Sequence, residues 1–143
     1  MSVYQLIYTS RSTPAITDEV LLDILNKAEI YNCLHQLTGL LILYNYNFIQ
    51  LLEGDEIEVK KLLSKIKNDN RHTDLKIILE TKNSNRSMPT WAMGACLINH
   101  KNDELNKDQF YLSIQDTHQI CESMSSDVGN YLLNFLNGNF IVI

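Results

Sequence analysis

Cysteine is scarce in this 143-residue chain: Cys33, Cys96 and Cys121 are an odd number and lie far apart. Such spacing builds no disulfide framework and points to free thiols in a reducing compartment. The usual metal-ligand pairings, CxxC and HExxH, are missing, and Cys33-Leu34-His35 alone is a weak metal hint. Basic charge is in short supply, with 12 Lys and Arg against 17 Asp and Glu for a net −5. A nucleic-acid binder needs a concentrated cationic surface to displace counterions, so that class is set aside. The cluster Lys60, Lys61, Lys65 and Lys67 reads as one solvated helix face. No apolar run approaches the roughly 20 residues of a membrane span. Met1 to Gln5 lacks the basic start and apolar stretch of a signal peptide. These absences lead to the expectation of a cytoplasmic protein with no membrane or nucleic-acid partner. What is present is 45% hydrophobic content in a length that suits one domain, enough for a packed core and against disorder.

Val3 to Ser10, rich in β-branched and aromatic residues, predicts a first strand closed by a loop with Pro14. Thr17 then caps a helix whose first turn holds Asp18 and Glu19 and whose apolar stripe is Val20, Leu21, Ile24, Leu25 and Ala28. Its end is expected at Tyr31-Asn32. Thr38 to Tyr44 and Phe48 to Glu53 predict a hairpin about Asn45-Tyr46-Asn47. Gly54-Asp55-Glu56 opens a second helix with the stripe Val59, Leu62, Leu63 and Ile66, ending near Asn68-Asp69-Asn70. Leu75 to Thr81 predicts a fourth strand, Lys82 to Ser87 a polar loop, and Trp91 to Ile98 a fifth strand. The class is α+β. The order β-α-β-β-α-β is that of a ferredoxin-like sandwich, here with an additional fifth strand. Phe48 and Leu52 point to one face and Ile49 and Leu51 to the other, so both faces are apolar and the second needs a cover. A helical hairpin from Leu105 to Ile114 and Val128 to Leu136 is the expected cover. This divides the chain into residues 1–100 and a C-terminal cap, 101–143, in one compact unit.

Several polar side chains sit badly in such a core. Gln50 shares a strand face with Phe48 and Leu52, and a buried amide without partners costs about 1–3 kcal/mol. Tyr8 stands at the end of the first strand with Tyr4 and Leu6 on its face, and its hydroxyl needs a partner if buried. Asn32 ends the first helix. Trp91, the sole tryptophan, shares a face of the fifth strand with Met93. Each alone has an ordinary packing explanation. Together, a phenol and two amides offer the donors and acceptors that the edge of a heteroaromatic ring requires.

At these residues the chain resembles the BLUF family, blue-light sensors that use FAD. The resemblance rests on Leu6-Ile7-Tyr8-Thr9-Ser10, on Asn32 followed by Leu37-Thr38-Gly39-Leu40-Leu41, and on Phe48-Ile49-Gln50-Leu51-Leu52-Glu53-Gly54. It continues through Asp69-Asn70-Arg71-His72 and Trp91-Ala92-Met93, and so covers about residues 1–100. It implies non-covalent FAD held between the first two helices. Tyr8 and Gln50 would carry the photochemistry, electron and proton passing from Tyr8 through Gln50, whose amide then turns or tautomerises. Asn32 would hold the pyrimidine end of the ring, with Tyr31, Lys65 and Asp69 as further cofactor neighbours and Trp91 and Met93 in signalling. Tyr31 and Lys65 depart from the common pattern, where an amide or polar residue and an Arg are usual. Arg71 and His72 are read as ordinary loop residues. The resemblance further implies a sensor rather than an enzyme. Its change would pass along the last strand to helices within residues 103–138, and on to a protein effector or to a homo-oligomer interface. At this length no separate effector module is expected.

Two other readings stay open. An acylphosphatase-like hydrolase shares the ferredoxin-like order and could use Arg11 and Asn45, although Arg11-Ser12-Thr13-Pro14 lacks a glycine-rich phosphate loop. A ligand-free interaction module is the other.

Overall fold

The computed structural model describes residues 2–13, 16–98 and 111–139. Strand β1 (Val3–Ser12) is followed by α1 (Asp18–Leu34), the hairpin β2 (Thr38–Tyr44) and β3 (Asn47–Gly54), and α2 (Glu56–Lys67). Then come β4 (His72–Asn83), β5 (Gly94–Ile98), α3 (Ile114–Glu122) and α4 (Ser126–Leu136). The sheet has the order β4-β1-β3-β2-β5, antiparallel throughout except for the parallel pair β2·β5.

Strand alternation sends the two sets of apolar residues into two cores. Tyr4, Leu6, Tyr8, Leu41, Phe48 and Leu52 pack with Leu21 and Leu25 of α1 and Val59 and Leu63 of α2. Ile7, Leu40, Ile42, Ile49 and Leu51 pack on the other face with Cys121 of α3 and Val128, Leu132 and Phe135 of α4. The α+β sandwich with an extra strand and C-terminal helices over the second face is thus as expected. Both α1 and α2 start on side-chain caps: Thr17 Oγ1 accepts from Val20 N, and Asp55 accepts from Ile57 N and Glu58 N. Gly39 is required where β2 passes β3, because a Cβ there would lie 2.2 Å from the Leu51 carbonyl oxygen.

Several boundaries differ from expectation. Tyr8 stands in mid-strand, since β1 runs on to Ser12. Helix α1 continues past Tyr31-Asn32 to Leu34, which places Asn32 inside its last turn. Strand β4 is longer than Leu75 to Thr81 because pairing with β1 extends from Ser12↔His72 to Val3↔Asn83. The fifth strand starts at Gly94, not Trp91, because the backbone carbonyls before it are engaged outside the ladder. Trp91 O accepts from Gly39 N (3.2 Å) and Ala92 O from Asn32 Nδ2 (2.8 Å). As a result Trp91 and Met93 do not share a face: Met93 is in the α1/α2 core and Trp91 packs at the edge of the other. Of the expected helix Leu105 to Ile114, residues 105–110 lie outside the described residues. Tyr111 to Ser113 are not helical, and Ile114 instead opens α3, with the Ser113 hydroxyl accepting from Asp116 N.

Candidate functional site

Register brings the central pair together before any side chain is considered. Tyr8 and Gln50 are directly opposite across β1·β3, and Leu41 is opposite Gln50 across β2·β3. All three point toward α1 and α2. The Tyr8 hydroxyl donates to Gln50 Oε1, with both residues buried. The Tyr8 phenol is pushed well above the ordinary tyrosine value, first by burial and then by the nearby Asp69 carboxylate, so it stays protonated at neutral pH. Gln50 Nε2 lies 3.6 Å from Met93 Sδ, a weak acceptor.

Between α1, α2 and the sheet lies a cavity of about 320 Å³, within the size range of small-ligand sites. Tyr8, Tyr31, Asn32, Gln50, Lys65, Asp69 and Met93 all line it. Leu41, Phe48, Ile24, Leu62 and Ile66 give it apolar walls suited to the faces of a flat ring. Trp91 is not among the lining residues. It borders a more open groove with Ile30, Cys33 and Leu34.

Asn32 is the informative wall residue. It is fully buried and donates from Nδ2 to Ala92 O, yet its Oδ1 has no hydrogen-bond partner. A buried carbonyl oxygen left bare costs free energy unless a donor meets it. The flavin ring carries such a donor, an imide N–H between two carbonyls. A bare acceptor, the Gln50 amide and apolar walls therefore fit a flavin.

The rim is charged. Asp69 and Arg71 form a forked pair, Arg71 Nε to Asp69 Oδ1 at 2.9 Å and Nη2 to Oδ2 at 2.5 Å, with Asp23 at 3.6 Å from Nη1. That pairing holds the Asp69 carboxyl below its ordinary value. Lys65 Nζ lies 4.5 Å from the centre of the Tyr31 ring, which stacks on His35 at 4.1 Å. The two departures noted in the sequence thus engage each other across α1 and α2. Arg71 and His72, read as plain loop residues, line the cavity, and His72 opens β4. His72 bridges Ser10 Oγ (2.9 Å) and the Ile66 carbonyl (2.6 Å), tying α2's end to β1. Lys27 was missed altogether; its place one turn before Tyr31 on α1 was the available signal. Neither Arg11 nor Asn45 lines the cavity between α1, α2 and the sheet.

A mostly apolar cavity with amides on its wall, set between two helices and a sheet, has the make-up of a small-molecule binding site. The family model for BLUF, sensors of blue-light using FAD, matches residues 3–94, and the chain belongs to that family. BLUF domains are sensory modules. Among solved structures, BlsA in its photo-activated state is 26% identical over 95% of this chain and 94% of its own, with a TM-score of 0.68. BlsA in its ground state is 27% identical over 100% and 90%, with a TM-score of 0.65. A bacterial light-regulated adenylyl cyclase is 25% identical over 92% of this chain, which covers 40% of the cyclase, with a TM-score of 0.67. No curated protein sequence matches significantly. Among the described residues no helix is long and apolar enough to cross a membrane.

Proposed function

We propose that the chain is a blue-light photoreceptor that holds FAD non-covalently in the slot between α1 and α2. The observation that carries this reading is the buried Tyr8–Gln50 hydrogen bond beside the bare Asn32 carbonyl oxygen. Asn32 Oδ1 accepts from the ring edge, while Gln50 presents its amide to the ring and to Tyr8. Lys27, Lys65 and Arg71 at the rim supply positive charge for the phosphates of the cofactor tail.

Bound FAD would absorb blue light and, once excited, draw in an electron. Tyr8 is built to give it: the phenol keeps its proton in the dark, and its hydroxyl is aimed at Gln50. The proton follows the electron along that bond. On their return Gln50 is left turned or tautomerised, with a changed set of partners. Gln50 Nε2 meets Met93 Sδ, so a turn of the amide changes what Met93 packs against. No covalent bond forms, so the change reverses in the dark.

The altered Gln50 biases the Met93 segment, which leads into β5 and the C-terminal helices. These helices pass the state to a protein effector or to a second copy of the chain; the cyclase relative joins a similar domain to an enzyme. The test is colour. The purified protein should be yellow, release FAD on denaturation, and shift its visible band to longer wavelength under blue light. A colourless protein that takes up no added flavin would refute the reading.

A further inference from the structure

Glu53, three residues beyond Gln50 on β3, is fully buried, and donors meet both of its carboxylate oxygens. Oε1 accepts from Thr38 Oγ1 (2.9 Å) and Met88 N (2.6 Å); Oε2 accepts from Gln5 Nε2 (2.8 Å) and Ser87 N (2.8 Å). Two of these donors are backbone N–H groups of the β4–β5 connection. The same connection ends at Trp91, Ala92 and Met93, where Gly39 N, Asn32 Nδ2 and Gln50 Nε2 hold it. One carboxylate therefore pins the upstream end of a segment whose downstream end forms a wall of the cavity. Arg86 adds to the anchor, donating from Nη1 to Thr38 Oγ1 (3.0 Å) and from Nη2 to the Gln36 carbonyl (2.8 Å).

We propose that Glu53 is a positioning residue that fixes segment 86–93, seats Met93 against Gln50, and so sets how long the light-induced arrangement lasts. Its part in the photocycle rests on the flavin reading above; the pinning of the segment does not.

The chemistry demands a carboxylate at this position. A glutamine keeps one acceptor oxygen and turns an NH2 toward the other pair of donors. If that NH2 faces the Oε2 side it opposes Ser87 N–H, and if it faces the Oε1 side it opposes Met88 N–H. Thr38 and Gln5 can reorient; a backbone amide cannot. Either way one loop N–H is released and the segment is held at fewer points. The Tyr8–Gln50 pair is spared, because Gln50 and Glu53 project to opposite faces of β3. A less firmly held Met93 segment should lower the barrier for Gln50 to return.

The test uses the full chain as purified, with Glu53→Gln and the milder Thr38→Val, which leaves the carboxylate but removes one of its donors and the acceptor of Arg86 Nη1. Amide hydrogen exchange at Ser87 and Met88 reads the pinning with no demand on the cofactor. Dark recovery of the visible band after blue light reads the function. In Glu53→Gln, exchange at Ser87 or Met88 should quicken about tenfold, the red shift should persist, and recovery should be about tenfold faster, the scale of one lost hydrogen bond to a charged acceptor. Thr38→Val should move both readouts the same way by about threefold. A merely structural role would lower the melting temperature and leave recovery alone. Recovery unchanged in both variants with pigment bound overturns the proposal, as does unchanged exchange. If Glu53→Gln does not fold, Thr38→Val decides alone. A wild-type protein without flavin or red shift would sink the photoreceptor reading, and exchange then decides whether Glu53 pins the segment.

Discussion

Asn32 and Asp69 show how single side chains reveal the site. The Asn32 carbonyl oxygen is buried and bare, while its NH2 is committed to Ala92 O. Replacing Asn32 by Ala removes both, and FAD affinity should fall about 10- to 100-fold, read by flavin fluorescence titration. Asp69 works through charge. Arg71 holds its carboxyl below the ordinary 3.8, and a depressed carboxyl stabilises the fold above its unfolded value. That stabilisation fades as pH drops through the folded value, so the loss belongs below about pH 4. Asp69→Asn should lower the neutral-to-alkaline plateau of a stability–pH curve without tilting it and flatten the acid limb, so that the two proteins converge in acid. Both residues could be picked out in the sequence, Asn32 as an amide on a helix end and Asp69 through the resemblance. The bare oxygen could not, because it depends on where the Ala92 carbonyl falls. Nor could the Tyr31–Lys65 contact, which needs the spacing of two helices.

Elements were legible where apolar periodicity alone sets them. The hairpin β2–β3 and helices α1 and α2 carry their stripes and caps in plain order. Errors arose where polar or backbone partners decide. The run from Trp91 to Ile98 reads as one strand, yet Trp91 and Ala92 spend their carbonyls on Gly39 and Asn32 and enter no ladder. Helix α3 is hidden from apolar periodicity because its sequence, IQDTHQICE, has few apolar residues; the Ser113 cap before it and Thr117 and Cys121 on its buried face mark it instead. Polar ends hid the true length of β4, an edge strand that gains them by pairing with β1 alone. Gly39 is the element-scale feature most open to test. Its missing side chain lets β2 lie against β3, and Gly39→Ala should cost about 1–3 kcal/mol in urea unfolding by forcing the strands apart.

For the molecule as a whole, the decisive property is a sheet that is apolar on both faces and covered differently on each. One side holds the slot, and the other is closed by α3 and α4. The two-sided pattern was readable from Phe48 to Leu52. Which residues supplied the cover was only half readable, since one expected helix fell on residues 105–110, outside those described, and on Tyr111 to Ser113. The separation of faces makes a prediction. Leu132 is fully buried in α4, and Leu132→Ala should lower stability by about 3 kcal/mol while leaving the dark flavin spectrum where it was.

The central claim is that light is read through the Tyr8–Gln50 bond. Its most direct test is the light-minus-dark absorption difference of the FAD-bound protein, compared between wild type and Tyr8→Phe. The wild type should give a shift to longer wavelength that decays in the dark, and Tyr8→Phe should bind FAD and give none. A Tyr8→Phe protein with the wild-type difference spectrum would contradict the account.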